Sequence, residues 1–598
     1  MGNNLLLIIS ISLMLHQRAG LAQQITFTNV ADSMKINHDY SVGAFYGAGV
    51  TFCDFDEDGF EDLSIPGALG EQISLYKNRV DTFENIAQQL HLEEASESKS
   101  VLWVDYDNDG DKDLFITHMV GKNRLYRNEA NEGFADVTAV AGISTEPLPS
   151  MGACWADYDN DGWLDLYVVN YSGVPNFGVT RNYLYRNQGD GTFLDVTLTA
   201  GVADFGKHAF TAVFFDYNND GWQDIYIAND RSSINTLFEN MGNGTFIDVS
   251  EESHSNLDFD AMGIAVGDYN DDGWLDLYVS NGPVGNGLLR NNGDGTFTEI
   301  AESLGLTVDK GCWGVNFFDY DNDSDLDLYV CASIGVSPGS ADRKNVLFEN
   351  LGDGTFIETS GIGLDNDNYE SYGNAIADFN NDGYCDIAVL NKGNSFSLWE
   401  NSGGSNNWIK IKLQGISSNR DGIGSIIEVY RDGKKFIRSV HCGMSFMSQN
   451  SLIQTIGVGK TTLIDSVIIK WPSGTIDAVR ALPVNRKLLV VEGRSITGIA
   501  DNVSFPNQMT LYANYPNPFN PSTNILFELP KPEKVILKIF NVFGQEVKTL
   551  INQPMQAGKH TISWGGHNQT GEVVSSGVYF YQIQAGDFIA TRKMLFIR

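Results

Sequence analysis

Seven times between residues 54 and 387 the chain repeats one ten-residue pattern. It appears first as Asp54-Phe-Asp56-Glu-Asp58-Gly59-Phe-Glu-Asp62-Leu63 and then from Asp105, Asp157, Asp216, Asp268, Asp319 and Asp378. Successive starts lie 51, 52, 59, 52, 51 and 59 residues apart, the length of one four-stranded propeller blade. The residues after each copy, such as Asp165-Leu-Tyr-Val-Val, are β-branched and aromatic, which reads as strand. A second turn-punctuated element follows copies two to six, for example Leu184-Tyr-Arg-Asn-Gln-Gly-Asp-Gly-Thr-Phe193. It reads as a hairpin whose Gly-Asp-Gly is turn chemistry. Two strands around the Asp loop and two around the hairpin make a blade. Seven copies therefore predict an all-β chain built on a seven-bladed β-propeller, over residues 23–405.

Each copy places oxygen side chains at loop positions 1, 3, 5 and 9, with a residue suited to a sharp turn at position 6. The set is Asp54, Asp56, Asp58 and Asp62; Asp105, Asp107, Asp109 and Asp113; Asp157, Asp159, Asp161 and Asp165; Asp216, Asn218, Asp220 and Asp224; Asp268, Asn270, Asp272 and Asp276; Asp319, Asp321, Asp323 and Asp327; and Asp378, Asn380, Asp382 and Asp386. Oxygen atoms at this spacing form a hard-cation cage matching the first nine positions of an EF-hand loop, which favours Ca²⁺ at up to seven structural sites. Zn²⁺ would need converging His or Cys, and Mg²⁺ rarely accepts an all-protein cage. Position 12 is Ile65, Ile116, Val168 and Ile227 in the first four copies, where an EF-hand needs a bidentate Glu, so the loops join strands rather than helices. Ser324 stands at position 6 of the sixth copy where the others have Gly, which makes a left-handed turn there costlier.

The seventh copy has a third strand, Phe396-Ser-Leu-Trp-Glu-Asn401, and no fourth. Residues 25–31, Ile25-Thr-Phe-Thr-Asn-Val-Ala31, resemble the missing element. They are expected to complete the last blade and so remove free sheet edges.

The formal charge is −37, from 39 Lys and Arg against 76 Asp and Glu, which argues against nucleic acid as a partner. Aromatic residues at 11% and hydrophobic residues at 42% place that acid in folded structure rather than a disordered tail. Residues 1–22 read as a signal peptide, with an apolar run from Leu5 to Leu15. No later stretch is long enough to span a bilayer, so no transmembrane segment is expected in the mature chain. Six cysteines without a C-x-x-C pair read mostly as buried core residues, with a disulfide left open.

The Asp-x-Asp-x-Asp-Gly-x-x-Asp-Leu loops resemble the FG-GAP (VCBS) repeats of integrin-α-type propellers, over roughly residues 42–402. The resemblance implies structural Ca²⁺ in the loops and ligand binding at a propeller face. Residues 406–492 read as a small β domain with Asn419-Arg420-Asp421-Gly422, Ser448-Gln449-Asn450, Ile456-Gly457-Val458-Gly459 and Trp471-Pro472-Ser473-Gly474. They resemble the ASPIC/UnbV domain that follows such repeats in the cartilage acidic protein family. A linker is expected over 493–510. Residues 511–598, with Asn514-Tyr-Pro-Asn-Pro-Phe-Asn-Pro521 and Ser576-Gly-Val-Tyr-Phe580, read as a C-terminal Ig-like β-sandwich. They resemble the sorting domain of type IX secretion cargo, which implies engagement of that machinery and release or anchoring at the outer-membrane surface.

The function expected from these readings is a secreted or cell-surface calcium-binding propeller for adhesion or ligand binding, with an extracellular glycan or protein as partner and no catalytic residues. The alternative is a polysaccharide-active lyase or hydrolase. Its first suspects would be His118, His208 and Arg231 near loop ends, and the adjacent His441-Cys442 pair is the only other suggestive feature.

Overall fold

The computed structural model describes residues 24–494 and 510–597, apart from 41–45, 91, 93–95, 130–132, 232, 283–284, 336–341, 394, 512–513, 515–516, 530–532, 556–557 and 587. The expected signal peptide, 1–22, and most of the expected linker lie outside the described residues.

Seven four-stranded antiparallel sheets follow one another. Blades 1 to 6 run from Thr51–Cys53 to Phe83–Asn85, Ser98–Val104 to Phe134–Asp136, Ser150–Ala156 to Phe193–Asp195, His208–Phe215 to Phe246–Asp248, Ala261–Gly267 to Phe297–Glu299, and Lys310–Phe318 to Phe356–Glu358. Blade 7 consists of Ser371–Ala377, Asp386–Asn391, Ser397–Asn401 and, from the other end of the propeller, Phe27–Asn29. Phe27 pairs with Asn401 and Asn29 with Trp399, so the N-terminal strand supplies the missing element. The first strand of each blade packs on the first strand of the next, and that of blade 7 packs on blade 1, which closes the ring. Innermost strands are covered on both faces. Ser98–Val104 and Ser150–Ala156 are accordingly buried along their whole length.

One asparagine per blade ties the ring together. Asn78, Asn128, Asn187, Asn240, Asn291, Asn350 and Asn401 end the third strands, and each donates its side-chain amide to the carbonyl of its own loop position 8 at 3.1–3.2 Å. In six blades the same amide also reaches the position 2 carbonyl of the preceding blade at 2.7–2.9 Å, as from Asn240 to Tyr158. A propeller has few backbone hydrogen bonds between blades, so these side chains fill that role.

Residues 407–491 form two further sheets, Gln454–Gly459, Asn407–Gln414 and Arg486–Val491 in one, and Lys434–Ser439, Ile426–Arg431, Leu463–Lys470 and Ile476–Pro483 in the other. This domain belongs to the same compact unit as the propeller. Its segment 441–451 enters the central channel and bonds to the inner strands. Cys442 O accepts from Trp155 N, Ser445 exchanges two backbone bonds with Ile264, and Gln449 O accepts from Phe52 N. The Gln449 amide bonds both N and O of Trp103. His441, Ser445 Oγ and Asn450 engage Phe214 O, Val315 N and Ile376 N. Every blade therefore holds the plug. Gly443 is required there, since a Cβ would sit 2.2 Å from Ala153 O.

The second unit, within Ile499–Arg598, has the sheets Thr510–Leu511, Thr523–Leu529 and Gly558–Trp564, and Glu546–Met555, Glu533–Asn541, Gly577–Ala585 and Phe588–Phe596. They enclose a core that includes Ile525, Leu537, Trp564 and Tyr581, an Ig-like sandwich as expected.

Two stability tests follow from the ring. Deleting residues 25–31 should lower the melting temperature of the whole propeller, because blade 7 then exposes an edge; an unchanged calorimetric melt would contradict the closure. Asn240→Ala leaves two buried carbonyls unpaired and should cost about 2–4 kcal/mol in chemical denaturation.

Candidate metal centres

All seven Asp loops share one backbone geometry. The position 1 carboxylate accepts the N–H of position 6 at 2.8–3.2 Å, closing the turn. Position 4 lies in the left-handed region in every loop, from Asn160 at φ 55° to Asn322 at 61°. Asn108, Asn160, Asn219, Asn322 and Asn381 at that position donate to the position 6 carbonyl of the next loop at 2.9–3.3 Å, linking loop to loop. The position 9 carboxylate receives two backbone donors, the N–H of position 2 at 3.0–3.3 Å and that of the third-strand asparagine at 2.7–2.9 Å. Position 9 is therefore a fixed anchor between loop and sheet.

Carboxylate oxygens of Asp105, Asp107 and Asp113 converge within 4.8 Å of one another, as do those of Asp157, Asp159 and Asp165, of Asp319, Asp321 and Asp327, and of Asp54, Asp56 and Asp58. These four groups could hold metal ions. In the other three loops Asn218, Asn270 and Asn380 put an amide at position 3, and its Nδ2 donates to Asp220, Asp272 and Asp382 at position 5. The Oδ1 atoms of Asp105, Asp107 and Asp159 are buried and have no hydrogen-bond partner. Burial is the largest cause that pushes the position 1 carboxyls up, to about 7 for Asp105, Asp157 and Asp268 and about 6 for Asp216, with neighbouring carboxylates adding to it. At position 9 burial pushes Asp62 to about 8 and Asp113 to about 9. A hard cation bound among such groups would relieve both penalties.

The following domain lies against these loops. Lys410 Nζ is 2.9 Å from Asp378 with both groups buried, Lys412 is 3.9 Å from Asp54, and Arg420 is 3.5 Å from Asp105. Ser324 holds φ 99°, the strained turn its sequence predicts. Its hydroxyl donates to Gly457 O at 3.0 Å and its carbonyl accepts from Arg438 at 2.7 Å. Loop 5 has Asp271 in place of the donor asparagine, and Arg438 supplies the missing bond to Ser324. Neither the cation contacts nor the plug is signalled by local sequence pattern. The ring asparagines have a signal in the recurring third-strand ending Lys-Asn, Arg-Asn or Glu-Asn.

At the opposite channel mouth, Tyr46, Tyr171, Phe210, Trp313 and Tyr372 form an aromatic cluster that meets Phe446 of the plug. Tyr171 donates to Asp230 at 2.5 Å, and Arg231 donates to Tyr46 at 3.1 Å. Two of the enzyme suspects meet here, His208 edge-on to the Tyr171 ring at 5.0 Å and Arg231 over it at 5.5 Å. The third, His118, is fully buried. His441 is held by Ser439 Oγ and Phe214 O, burial keeps its ring down at about 4, and Cys442 is buried.

Family models agree with this architecture. FG-GAP-like repeats match residues 54–116, 105–168, 171–227, 216–279 and 268–330, an ASPIC and UnbV domain matches 415–497, and a FlgD Ig-like domain matches 517–587. Cartilage acidic protein 1 of Mus musculus is 25% identical over 485 residues, covering 72% of this chain and 70% of that protein. Its Homo sapiens counterpart is 25% identical over 468 residues, covering 71% of this chain and 60% of that protein. Among solved structures, BBS1N in complex with ARL6DN aligns at TM-score 0.38 and 10% identity, over 63% of this chain and 97% of that one. PorZ, a surface component of the type-IX secretion system of Porphyromonas gingivalis, aligns at 0.32 and 15%, over 94% of this chain and 82% of that one. The chain carries FG-GAP-like repeats together with an ASPIC and UnbV domain.

Proposed function

We propose that this protein is a calcium-stabilised extracellular binding protein and not an enzyme, with Ca²⁺ held in the Asp loops and a glycan or protein ligand taken at the channel mouth that bears Tyr46 and Arg231. The observation that carries the calcium reading is the pair Asp105 Oδ1 and Asp107 Oδ1, unpartnered and buried within a group of converging carboxylates. Bare carboxylate oxygens are costly inside a protein, and bound Ca²⁺ removes that cost with ligands of the kind it prefers.

The plug supports this choice of binding face. Segment 441–451 enters the channel from the loop side, so the mouth that bears Tyr46 and Arg231 is the one opposite the sheets of the following domain. There Arg231, with half of its side chain exposed, adjoins aromatic rings and the Asp230 carboxylate, a combination suited to an anionic or hydroxyl-rich ligand. The runner-up enzyme reading draws on the same cluster, since His208, Tyr171 and Arg231 meet there. Export through a signal peptide and a type IX route is part of the proposal. It is supported by the C-terminal sandwich and its Asn514 to Pro521 motif. No helix among the described residues is long and apolar enough to cross a membrane.

Calcium at about a hundred times its Kd should add about 2.7 kcal/mol per site, read as a rise in melting temperature that EDTA reverses; a melt indifferent to both would refute the metal reading. In EDTA the loop carboxyls, held up at about 6 to 9 against about 3.9 when free, bind more protons folded than unfolded. Their contribution is full below about pH 4 and is lost as pH rises through the raised range, so the metal-free melting temperature should fall between pH 6 and 8. For the binding face, a polysaccharide array should retain the mature protein, with retention reduced about tenfold in Arg231→Ala. Release of unsaturated or new reducing-end products would favour the lyase or hydrolase instead.

A further inference from the structure

One residue per blade stands across the sheet from each Asp loop and differs in sign around the ring. Immediately before the ring asparagine, blades 1, 2, 3 and 5 have Lys77, Arg127, Arg186 and Arg290, whereas blades 4, 6 and 7 have Glu239, Glu349 and Glu400. All occupy one register position, opposite the middle residue of the fourth strand, as Lys77 opposite Glu84, Arg186 opposite Leu194 and Glu239 opposite Ile247. From that position five of the seven side chains reach the loop. Lys77 Nζ pairs with Asp56 and lies 3.2 Å from Asp58. Arg186 is 2.8 Å from Asp159 and 3.7 Å from Asp161. Glu239 and Glu349 accept from the position 2 hydroxyls of Tyr217 and Tyr320 at 3.0 and 3.2 Å, and Glu400 accepts from Asn380 at 3.2 Å. Arg127 turns instead to Glu129, at 2.9 Å.

We infer that this third-strand residue grades cation affinity around the ring: a Glu lends a further carboxylate to the loop cation, and a Lys or Arg neutralises the position 3 and 5 carboxylates and must yield them. The inference rests on the calcium reading proposed above. Counting positions 1, 3, 5 and 9 with this residue, the formal charge is −5 in blade 6 from four Asp and Glu349. It is −4 in blades 4 and 7 from three Asp and one Glu, −3 in blades 1, 2 and 3 from four Asp and one cation, and −2 in blade 5 from three Asp and Arg290. In blades 4 and 7 the Glu restores the charge given up by Asn218 and Asn380. Blade 5 has the same amide at Asn270 and no such compensation, so its loop is the weakest. A unit charge about 5 Å from a divalent ion changes affinity about tenfold or more even in water's dielectric.

Loops 3, 4 and 5 each carry a tryptophan at position 7, Trp163, Trp222 and Trp274, which can sensitise Tb³⁺ bound in that loop. The full-length, calcium-stripped protein is titrated with Tb³⁺ alone, in chains that keep one of the three tryptophans and have Phe at the other two. Affinities should fall in the order loop 4, loop 3, loop 5. Arg186→Gln should tighten loop 3 about tenfold, while Arg186→Lys, which keeps the charge, should leave it near the parent value. Glu239→Gln should weaken loop 4 about tenfold. Midpoints that move less than twofold in both Gln variants, with Tb³⁺ still bound, would overturn the grading and leave the calcium reading standing. Absence of both sensitised emission and calorimetric Ca²⁺ binding in the parent chain would overturn the two together.

Discussion

Mutual repulsion among crowded carboxylates is the constraint from which the rest of this molecule can be understood. Seven loops each bring three or four Asp side chains into a small, partly buried volume, and each loop answers with backbone N–H groups that donate to the carboxylates at positions 1 and 9. Those donors fix the turn and fasten the loop to its sheet, yet oxygens at Asp105, Asp107 and Asp159 remain unpaired. The remaining compensation comes from outside the loop: Lys77 and Arg186 from the third strands, and Lys410, Lys412 and Arg420 from the following domain. Charge balance thus couples blade, ring and neighbouring domain.

That coupling makes the ASPIC and UnbV domain a structural part of the propeller. It covers the loop side of the ring, completes the polar bond that Asp271 cannot make to Ser324, and sends residues 441–451 through the channel. A buried ion pair such as Lys410 with Asp378 contributes little net stability by itself, because both charges lose their hydration. Its effect here is to fix which faces meet, and the plug's backbone bonds hold that arrangement.

The features legible in the sequence are those written locally and repeatedly. The loop spacing gave the blade count and the turn geometry, and the similarity of Ile25–Ala31 to a fourth strand located the closure at Phe27–Asn29. The Gly-Asp-Gly turns are held by Asp190, Asp294 and Asp353 bonding their own Thr two residues on. What escaped depends on distant partners. Gln449 meets Trp103 across 346 positions and Arg438 meets Ser324 across 114, and no pattern near either residue announces the other. The Ser448-Gln449-Asn450 motif is a family mark in the sequence, and the partners of its polar side chains become evident only in the channel. The third-strand asparagine was in plain view, and only the ring shows that its second partner belongs to the preceding blade.

The threaded plug also constrains how the molecule can be assembled. Blade 7 takes one strand from the beginning of the propeller and three from its end, and the channel is filled by residues that follow all of them in the chain. Successive blades can form in order as the polypeptide emerges, but the ring stays a partial arc until residue 401 is available, and its inner strands keep open hydrogen-bonding positions until residue 451 arrives. The last two joints are then made by residues at opposite ends of a segment more than 400 residues long, so neither can be completed before nearly the whole unit has been synthesised.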